Sequence, residues 1–312
     1  MDVARLDLDH LCQVAASTDG VLRRAHLTRS GLSTRDITWL VRRGVLVRLQ
    51  RDTYRIPSPD DPPQADFHAT VRAVRRRNPT RILTGAAAVA ELGLPVFGRP
   101  SRVDVVHDPR GGASTRSVLR TVARPPDGQL TLSRHGPVAT PARAVLDAAR
   151  LEGVVAGVVA ADAALRAGAT SLDELSAVAA TMAGLRGADR ARRCALLAHP
   201  GSQSPGESWS AVVLDDHLIP APDRQVEVRD DAGRIGVVDF SWRAAGVVGE
   251  FDGRVKYGRV NPAGQPPEEV VWREKLREDR LRATGLAVVR WTTSDLRTPG
   301  EWVRRTRRAL GI

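Results

Sequence analysis

The sequence predicts an α/β protein of several domains, and three observations lead to this class. The chain has 312 residues, enough for two or three compact domains that each have a core. A stretch rich in proline and aspartate, Pro57 to Pro63, separates a short N-terminal segment from the rest. Further on, the pattern changes to helices alternating with Val-rich strands. We therefore predict a winged helix-turn-helix at 1–57, a mixed α/β and helical middle domain at 64–200 and an α/β domain at 201–312.

The composition is that of a globular protein outside the membrane. Apolar residues make up 42% of the chain, and no apolar run approaches the roughly 20 uncharged residues that cross a bilayer. The start, Met1 to Leu11, has no basic region and no cleavage site of a signal peptide. Cys12 and Cys194 lie far apart and form neither a metal-binding spacing nor a disulfide framework. We expect a cytoplasmic protein with no membrane partner and with both thiols buried or half-buried.

The charge balance favours a polyanionic partner. The 47 basic and 36 acidic residues give a net charge of +11, and nucleic acid, above all DNA, is the commonest partner for such a surplus. The alternative is a basic protein that binds no nucleic acid. Only Lys256 and Lys275 among the basic residues are lysines. A lysine supplies a compact point charge that a planar guanidinium does not, and both fall in the last third of the chain.

The N-terminal segment predicts three helices and two strands of a wing. The first two helices are expected at Leu8–Ser17 and Arg23–Ser30. Ser33 and Asp36 have the spacing of a capping box, which opens a third helix that ends at Gly44. Two segments that follow, Val45–Leu49 and Asp52–Ile56, are predicted to be the strands.

The third helix has an apolar face and a polar face. Ile37, Leu40 and Val41 form the predicted buried stripe. The outward residues, predicted to contact a DNA major groove, are Thr34, Arg35, Thr38 and Arg42. The alternative is a helical bundle with a solvated basic face.

The sequence of the middle section, 64–200, predicts helices and strands but no active-site group of residues. The expected elements are helices at Asp66–Arg76 and Gly85–Leu92, strands at Arg102–His107, Val118–Ala123 and Gln129–His135, and a helix opened by Thr140 and Pro141. Alanine-rich helices follow to about His199. We interpret the histidines as isolated and Asp147 as a structural residue bonded to local backbone or to Arg143.

The last third predicts a helix capped by Ser204, a three-strand unit, a long helix, a buried strand and a basic closing helix. The predicted ranges are Gln225–Arg229, Gly236–Phe240, Ala245–Gly253, Glu268–Thr284, Leu286–Trp291 and Gly300–Ala309. The simplest assignment of Trp272, Trp291 and Trp302 is to the core.

Carboxylates at the ends of predicted strands indicate a candidate metal site in this section. Asp239 and Glu250 lie on successive strands and reach one point if those strands form a hairpin. Carboxylate oxygens with open positions for water and phosphate suit Mg²⁺, which activates water for phosphodiester hydrolysis. Lys256 is expected to orient that water or to stabilise the phosphorus centre. The alternatives are a turn-facing surface carboxylate for Asp239 and a solvated strand end for Glu250 and Asp252.

Two further groups complete the candidate site. Glu207 is a supporting acid, and its alternative is the third residue of a capping box with Ser204. Arg273, Arg277 and Arg280, with the arginines of the last helix, are expected to contact phosphates without reading sequence, or to form a solvated helix face.

The first two thirds resemble the AbiEi-type antitoxins of type IV toxin–antitoxin systems. The residues that carry the resemblance are Gly44–Arg48 with Tyr54, Leu83–Ala88 and Thr140–Asp147. The resemblance implies a winged-helix DNA-binding head on a mixed α/β domain, autoregulation, and a cognate toxin or defence-system protein as a partner.

The last third resembles the PD-(D/E)XK superfamily, in particular very-short-patch-repair-like endonuclease domains. The matching segments are Ser204–Ser208, Val238–Phe240, Glu250–Gly253 with Lys256–Tyr257, Arg277–Gly285 and Val289–Trp291. The likeness implies that Asp239 and Glu250 are metal ligands, with Glu207 and Lys256 assisting.

One departure from the pattern opens a second interpretation. The lysine usual two residues after the second acid is Asp252 here, which is either a third ligand or a sign of an inactive site. We predict a DNA-binding protein with a Mg²⁺-dependent endonuclease domain. The alternatives are a regulator or antitoxin with an inactive nuclease fold, and an interaction protein whose charge is incidental.

Overall fold

The computed structural model describes residues 8–107, 118–253 and 267–312. It confirms the mixed α/β class, with helices and small sheets in each of the three sections. None of the helices in these ranges is long and apolar enough to cross a bilayer.

The head is a helix-turn-helix with a three-stranded sheet. Its elements are α1 (Leu8–Ala16), β1 (Leu22–Arg23), α2 (Arg24–Arg29), α3 (Thr34–Arg42), β2 (Val47–Gln50) and β3 (Thr53–Arg55). The sheet has the order β1-β3-β2, with antiparallel pairs. The two-residue strand β1 was not predicted, because so short a segment has no apolar period and exists only through pairing with β3. A core around Leu22, Leu27 and Leu40 joins the elements.

The capping box predicted for α3 is present. The Asp36 backbone N–H donates to Ser33 Oγ at 3.3 Å, and the Ser33 backbone N–H donates to Asp36 Oδ2 at 2.9 Å. These bonds satisfy donors that the first turn of a helix leaves unpaired. The Ser33 hydroxyl also donates to Asp36 Oδ2 at 2.7 Å, and this bond and the one from the Ser33 N–H lower the pKa of the Asp36 carboxyl because they stabilise its charged form.

The middle section packs helices against two short strand pairs. Its elements are α4 (Ala65–Arg77), α5 (Gly85–Glu91), β4 (Val103–Val106), β5 (Leu119–Val122), β6 (Leu130–Ser133), β7 (Gly136–Ala139), α6 (Pro141–Glu152), α7 (Val154–Arg166), α8 (Leu172–Thr181) and α9 (Ala188–Leu197). Strands β4 and β5 are parallel, and β6 and β7 form a hairpin. A core rich in alanine and valine fills the space between them.

A buried ionic cluster crosses this core and explains Asp147. The carboxylate accepts from Arg143 Nε at 2.9 Å and from Arg150 Nε at 2.5 Å, and Thr84 Oγ1 donates to it as well. Asp147 and Thr84 are both fully buried. A charge in that position requires such partners, so the structural interpretation of Asp147 is consistent with its contacts.

The C-terminal section is a four-stranded sheet between helices. Its elements are α10 (Pro205–Asp216), β8 (Asp223–Asp230), β9 (Gly233–Trp242), β10 (Val247–Asp252), α11 (Pro267–Ala283), β11 (Ala287–Thr292), α12 (Thr293–Arg297) and α13 (Gly300–Leu310). The order is β11-β10-β9-β8; β8, β9 and β10 form an antiparallel meander, and β11 runs parallel to β10.

Apolar residues cover the sheet on two sides. Val213 and Leu214 of α10 and Trp302 of α13 pack with Phe240 and Trp291. In a second cluster, Leu281 of α11 packs with Val238 and Val248. Trp291 and Trp302 stack with centroids 4.7 Å apart, so both are core residues as predicted.

Two predictions of burial are wrong. Trp272 is 58% exposed, because it lies on a side of α11 that does not face the sheet core. Cys12 is exposed on α1, whereas Cys194 is buried in the middle core. A residue's apolar character does not by itself say which side of a helix finds a partner.

Candidate functional site

The head presents a polar surface on α3. Thr34, Arg35, Thr38 and Arg42 are all exposed, while Ile37 and Leu40 on the opposite side are buried. Thr34 Oγ1 accepts from Arg24 NH1 at 3.4 Å, which ties the start of α3 to α2. The turn between the two helices passes through Gly31, whose φ of +83° favours glycine. The arrangement leaves two guanidinium groups and two hydroxyl side chains directed at solvent on one rigid helix.

In the C-terminal domain, the strand register brings the two predicted acids near each other. Gly249 pairs with Phe240 across β9 and β10, so the next pair along the register is Asp239 and Glu250. Their carboxylates nevertheless enter different hydrogen-bond networks.

Asp239 is linked to Glu207 rather than to Glu250. Asp239 Oδ1 accepts from Gln225 Nε2 at 3.2 Å, and the same nitrogen donates to Glu207 Oε2 at 3.0 Å. The backbone N–H of Phe251 donates to Asp239 Oδ2 at 2.9 Å. The amide of Gln225 on β8 therefore joins Glu207 of α10 to Asp239 of β9.

Glu207 also takes part in the Ser204 cap of α10, close to its alternative role, although its carboxylate accepts the N–H of Gln203 and not that of Ser204. Its backbone N–H donates to Ser204 Oγ at 3.2 Å, and its side chain accepts from Ser204 Oγ at 2.7 Å and from the Gln203 N–H at 2.8 Å. The side chain is buried, with 7% of the residue exposed. Both predicted roles place it at the same position, the first turn of α10.

Glu250 is held by two arginines. Arg277 NH2 of α11 donates to Oε1 at 2.6 Å, and Arg290 Nε of β11 donates to Oε2 at 2.9 Å. Only 8% of Glu250 is exposed. Arg290 also donates to Glu278 Oε2 at 2.7 Å, which extends the network along α11. The charge of Glu250 is thus balanced inside the domain.

The carboxylate oxygens of Asp239 and Glu250 all have hydrogen-bond partners within the protein. Both oxygens of Glu250 face guanidinium groups, and both oxygens of Asp239 accept hydrogen bonds. No cluster of three potential metal ligands occurs in the described part of the chain. Asp252 is half-buried at the end of β10. Lys256 lies outside the described residues.

The predicted phosphate contacts of α11 are engaged in ion pairs. Arg277 pairs with Glu250, and Arg280 bonds to Asp230 through Nε at 2.9 Å and NH2 at 2.6 Å. Arg273 belongs to α11, and its side chain lies outside the described part. The row of exposed cations expected on this helix is therefore replaced, at Arg277 and Arg280, by bridges to the sheet.

Sequence reasoning missed Gln225. This residue has φ of +55°, in the left-handed region that non-glycine residues seldom adopt. It lies within β8 between Arg224 and Val226, which pair regularly with β9. Such strain is often found at functional positions. A glutamine inside a strand pattern gives no sign of it, so no signal in the sequence could have identified it.

One family model matches the head, and two curated relatives match most of the chain. Residues 11–57 match the family model described as "Transcriptional regulator, AbiEi antitoxin". Over 275 residues the chain is 26% identical to two uncharacterized proteins of Mycobacterium tuberculosis, MT2308 of strain CDC 1551 / Oshkosh and Rv2248 of strain ATCC 25618 / H37Rv. The match covers 86% of this chain and 94% of each relative.

A solved structure is also similar. The crystal structure of the RV2827C protein from Mycobacterium tuberculosis aligns with 17% identity and a TM-score of 0.36, covering 73% of this chain and 88% of that one. A TM-score of this size does not establish a shared fold.

Proposed function

We propose that the protein is a DNA-binding transcriptional regulator whose α3 reads duplex DNA. One observation carries the proposal: the segment that matches the regulator family, residues 11–57, is the segment in which α3 exposes Thr34, Arg35, Thr38 and Arg42. The net charge of +11 supports a polyanionic partner.

The chemistry of the surface suits base and phosphate recognition. An arginine in the major groove donates two parallel hydrogen bonds to a guanine edge, and a threonine hydroxyl bonds to bases or phosphates. Because Ser33 and Asp36 cap α3 and its apolar side is buried, the helix can enter a groove without reordering.

The test is DNA binding by the full chain and by an Arg35→Ala variant. Fluorescence anisotropy with a duplex from the region upstream of the chain's own coding sequence should give a higher affinity than an unrelated duplex. Losing a bidentate base contact costs about 1–3 kcal/mol, or roughly 5- to 150-fold in affinity. Arg192→Ala is the matched control, since Arg192 is an exposed arginine of α9 outside the head. Equal loss in both variants, or none in Arg35→Ala, would contradict the proposal.

A cognate toxin or defence-system protein is a second element of the proposal, supported by the family description of residues 11–57. The experiment is co-expression of the chain with the product of a gene transcribed together with it, where that product inhibits growth. Restored growth is expected, and growth inhibition that the chain does not relieve would contradict a partner of this kind.

A Mg²⁺-dependent nuclease activity is the other candidate for the C-terminal domain. The observation that favours it is the Gln225 amide, which brings Glu207 and Asp239 to one point. When bound, Mg²⁺ would supply a water of lowered pKa. The ion pairs of Glu250 weigh against the candidate, because a metal ligand must give up its cationic partners.

Plasmid cleavage in the presence of Mg²⁺ separates the candidates. Cleavage that disappears in Asp239→Asn would support the nuclease. No cleavage by the wild type, with DNA binding intact, would leave the regulator alone. The isosteric Asn variant is chosen because an amide oxygen can still accept from the Phe251 N–H.

A further inference from the structure

A basic cavity lies between the head and helix α4. Its volume is about 460 Å³, and four arginines line it: Arg23, Arg51, Arg76 and Arg77. We name it the head–α4 cavity. Val21 and Ala73 contribute apolar lining, and Asp52 is the one carboxylate among its lining residues.

The positive charge of this cavity is only partly balanced. Asp52 pairs with Arg24 at 2.8 Å and lies 3.6 Å from Arg51. Arg76 pairs with Asp19 at 2.5 Å. No carboxylate within the described ranges forms an ion pair with Arg23 or Arg77, and both arginines are exposed.

The imidazole of His26 also lines the cavity, and its pKa is affected by this positive charge. Burial lowers the pKa of His26, and the positive charges of Arg29, Arg23 and Arg76 lower it further. Cations that converge on one imidazole from β1, α2 and α4 create a local field that attracts an anion.

The cavity is connected to the start of α3. Arg24, which binds Asp52 in the cavity wall, also donates to Thr34 Oγ1 at the first turn of α3. Arg51 lies in the turn between β2 and β3, the tip of the wing. The cations therefore continue the surface that presents Thr34 and Arg35.

Helix α4 is fixed to the head by two contacts with one turn. Arg72 Nε donates to the Asp19 backbone oxygen at 2.9 Å, and Arg76 binds the Asp19 carboxylate. Because these contacts hold α4 in place, Arg77 stands at a defined position relative to the head before any ligand arrives.

We propose that the head–α4 cavity binds backbone phosphates of the same duplex that α3 reads, so that the DNA-binding surface extends onto the middle section. This inference rests on the proposed function. Guanidinium groups bind phosphate oxygens through paired hydrogen bonds, and such contacts add affinity without adding sequence specificity. A small anionic metabolite is the competing occupant, since cavities of this volume also hold small ligands. The continuity with the wing and with α3 favours DNA.

The experiment measures the salt dependence of DNA binding by Arg23→Gln, Arg77→Gln and the double variant of the full chain. Each phosphate contact contributes about 0.9 to the slope of log K against log salt concentration. We expect each single variant to reduce the slope by about 0.9 and the double variant by about 1.8, with the preference for one duplex sequence over another unchanged. Circular dichroism checks that the variants are folded, and Arg192→Gln is the matched control.

The outcomes distinguish this inference from the proposed function. If the wild type binds DNA and the double variant keeps the wild-type slope, the cavity does not bind phosphates of the duplex and the inference is wrong. If inorganic pyrophosphate binds the wild type and not the double variant while the slope stays unchanged, the cavity is a small-anion site instead. If the wild type shows no salt-dependent binding to any duplex, the proposed function fails.

Discussion

The ion-paired state of Glu250 predicts that its replacement destabilises the C-terminal domain. The change is Glu250→Gln, which keeps the shape and removes the charge between Arg277 and Arg290. A hydrogen bond to a charged group contributes about 1.5–3 kcal/mol. The side chains of Arg277 and Arg290 are 24% and 33% exposed, so water screens both bonds and the lower figure applies to each.

Two such bonds give a loss of roughly 3 kcal/mol in the free energy of unfolding. At roughly 4 °C per kcal/mol for a domain of about 110 residues, Tm should fall by about 12 °C. The assay is urea and thermal unfolding followed by tryptophan fluorescence, to which the stacked core pair Trp291 and Trp302 contributes.

Glu227→Gln is the matched control. Glu227 also binds two arginines, Arg229 and Arg234, but its side chain is 40% exposed, so its loss should leave the unfolding free energy almost unchanged. Unchanged or increased stability in Glu250→Gln would refute the reasoning. That result would strengthen the interpretation of Glu250 as a metal ligand, since functional acids are commonly replaced without loss of stability.

Three further predictions concern the core. Burial raises the pKa of Asp104 to about 6, so the folded state holds this proton more tightly than the unfolded state. The contribution of Asp104 to the free energy of unfolding is therefore fully present below its ordinary pKa and is lost as pH rises through about 6. Asp104→Asn should abolish this fall in the unfolding free energy. A variant that keeps the wild-type pH profile of stability would contradict the prediction. In the native protein a thiol reagent should modify Cys12 and leave Cys194 unmodified until urea is added, because burial raises the pKa of Cys194; rapid modification of both would contradict the packing. Gly249→Ala should lower the unfolding free energy by about 1–3 kcal/mol, because the new Cβ would lie 2.6 Å from the Trp291 ring and 3.2 Å from Trp242. Gly253→Ala is the control, since among the described residues its Cβ would meet Phe251 alone, at 3.4 Å, and equal urea midpoints for the two variants would contradict the Trp291 contact.

Local patterns in the sequence predicted most elements of the fold. The capping box of α3 and the Ser204 cap of α10 were readable because a cap involves residues only three positions apart. Strands β1 and β7 and helix α12 were missed. The first two are short segments whose hydrogen-bond partners lie elsewhere in the chain, and local composition carries little information about such partners.

The candidate site shows the same division. Sequence reasoning identified the carboxylates and placed Asp239 and Glu250 on neighbouring strands, which the register agrees with. It did not foresee that arginines from α11 and β11, 27 and 40 residues further along, would neutralise Glu250. Nor did it find Gln225, whose importance lies in a backbone angle and in bridging two acids.

The sequence alone determined the basic charge, the mixed α/β class and the polar side of α3. These properties follow from composition and from spacings within one helix turn. Only the tertiary structure decided which charges remain available to a ligand. Pairing between distant residues gives Glu250 its arginines and leaves Arg23 and Arg77 at the head–α4 cavity without an ion-paired carboxylate in the described part of the chain. Coulombic partnership depends on distance in space, and chain folding sets that distance between residues far apart in the sequence.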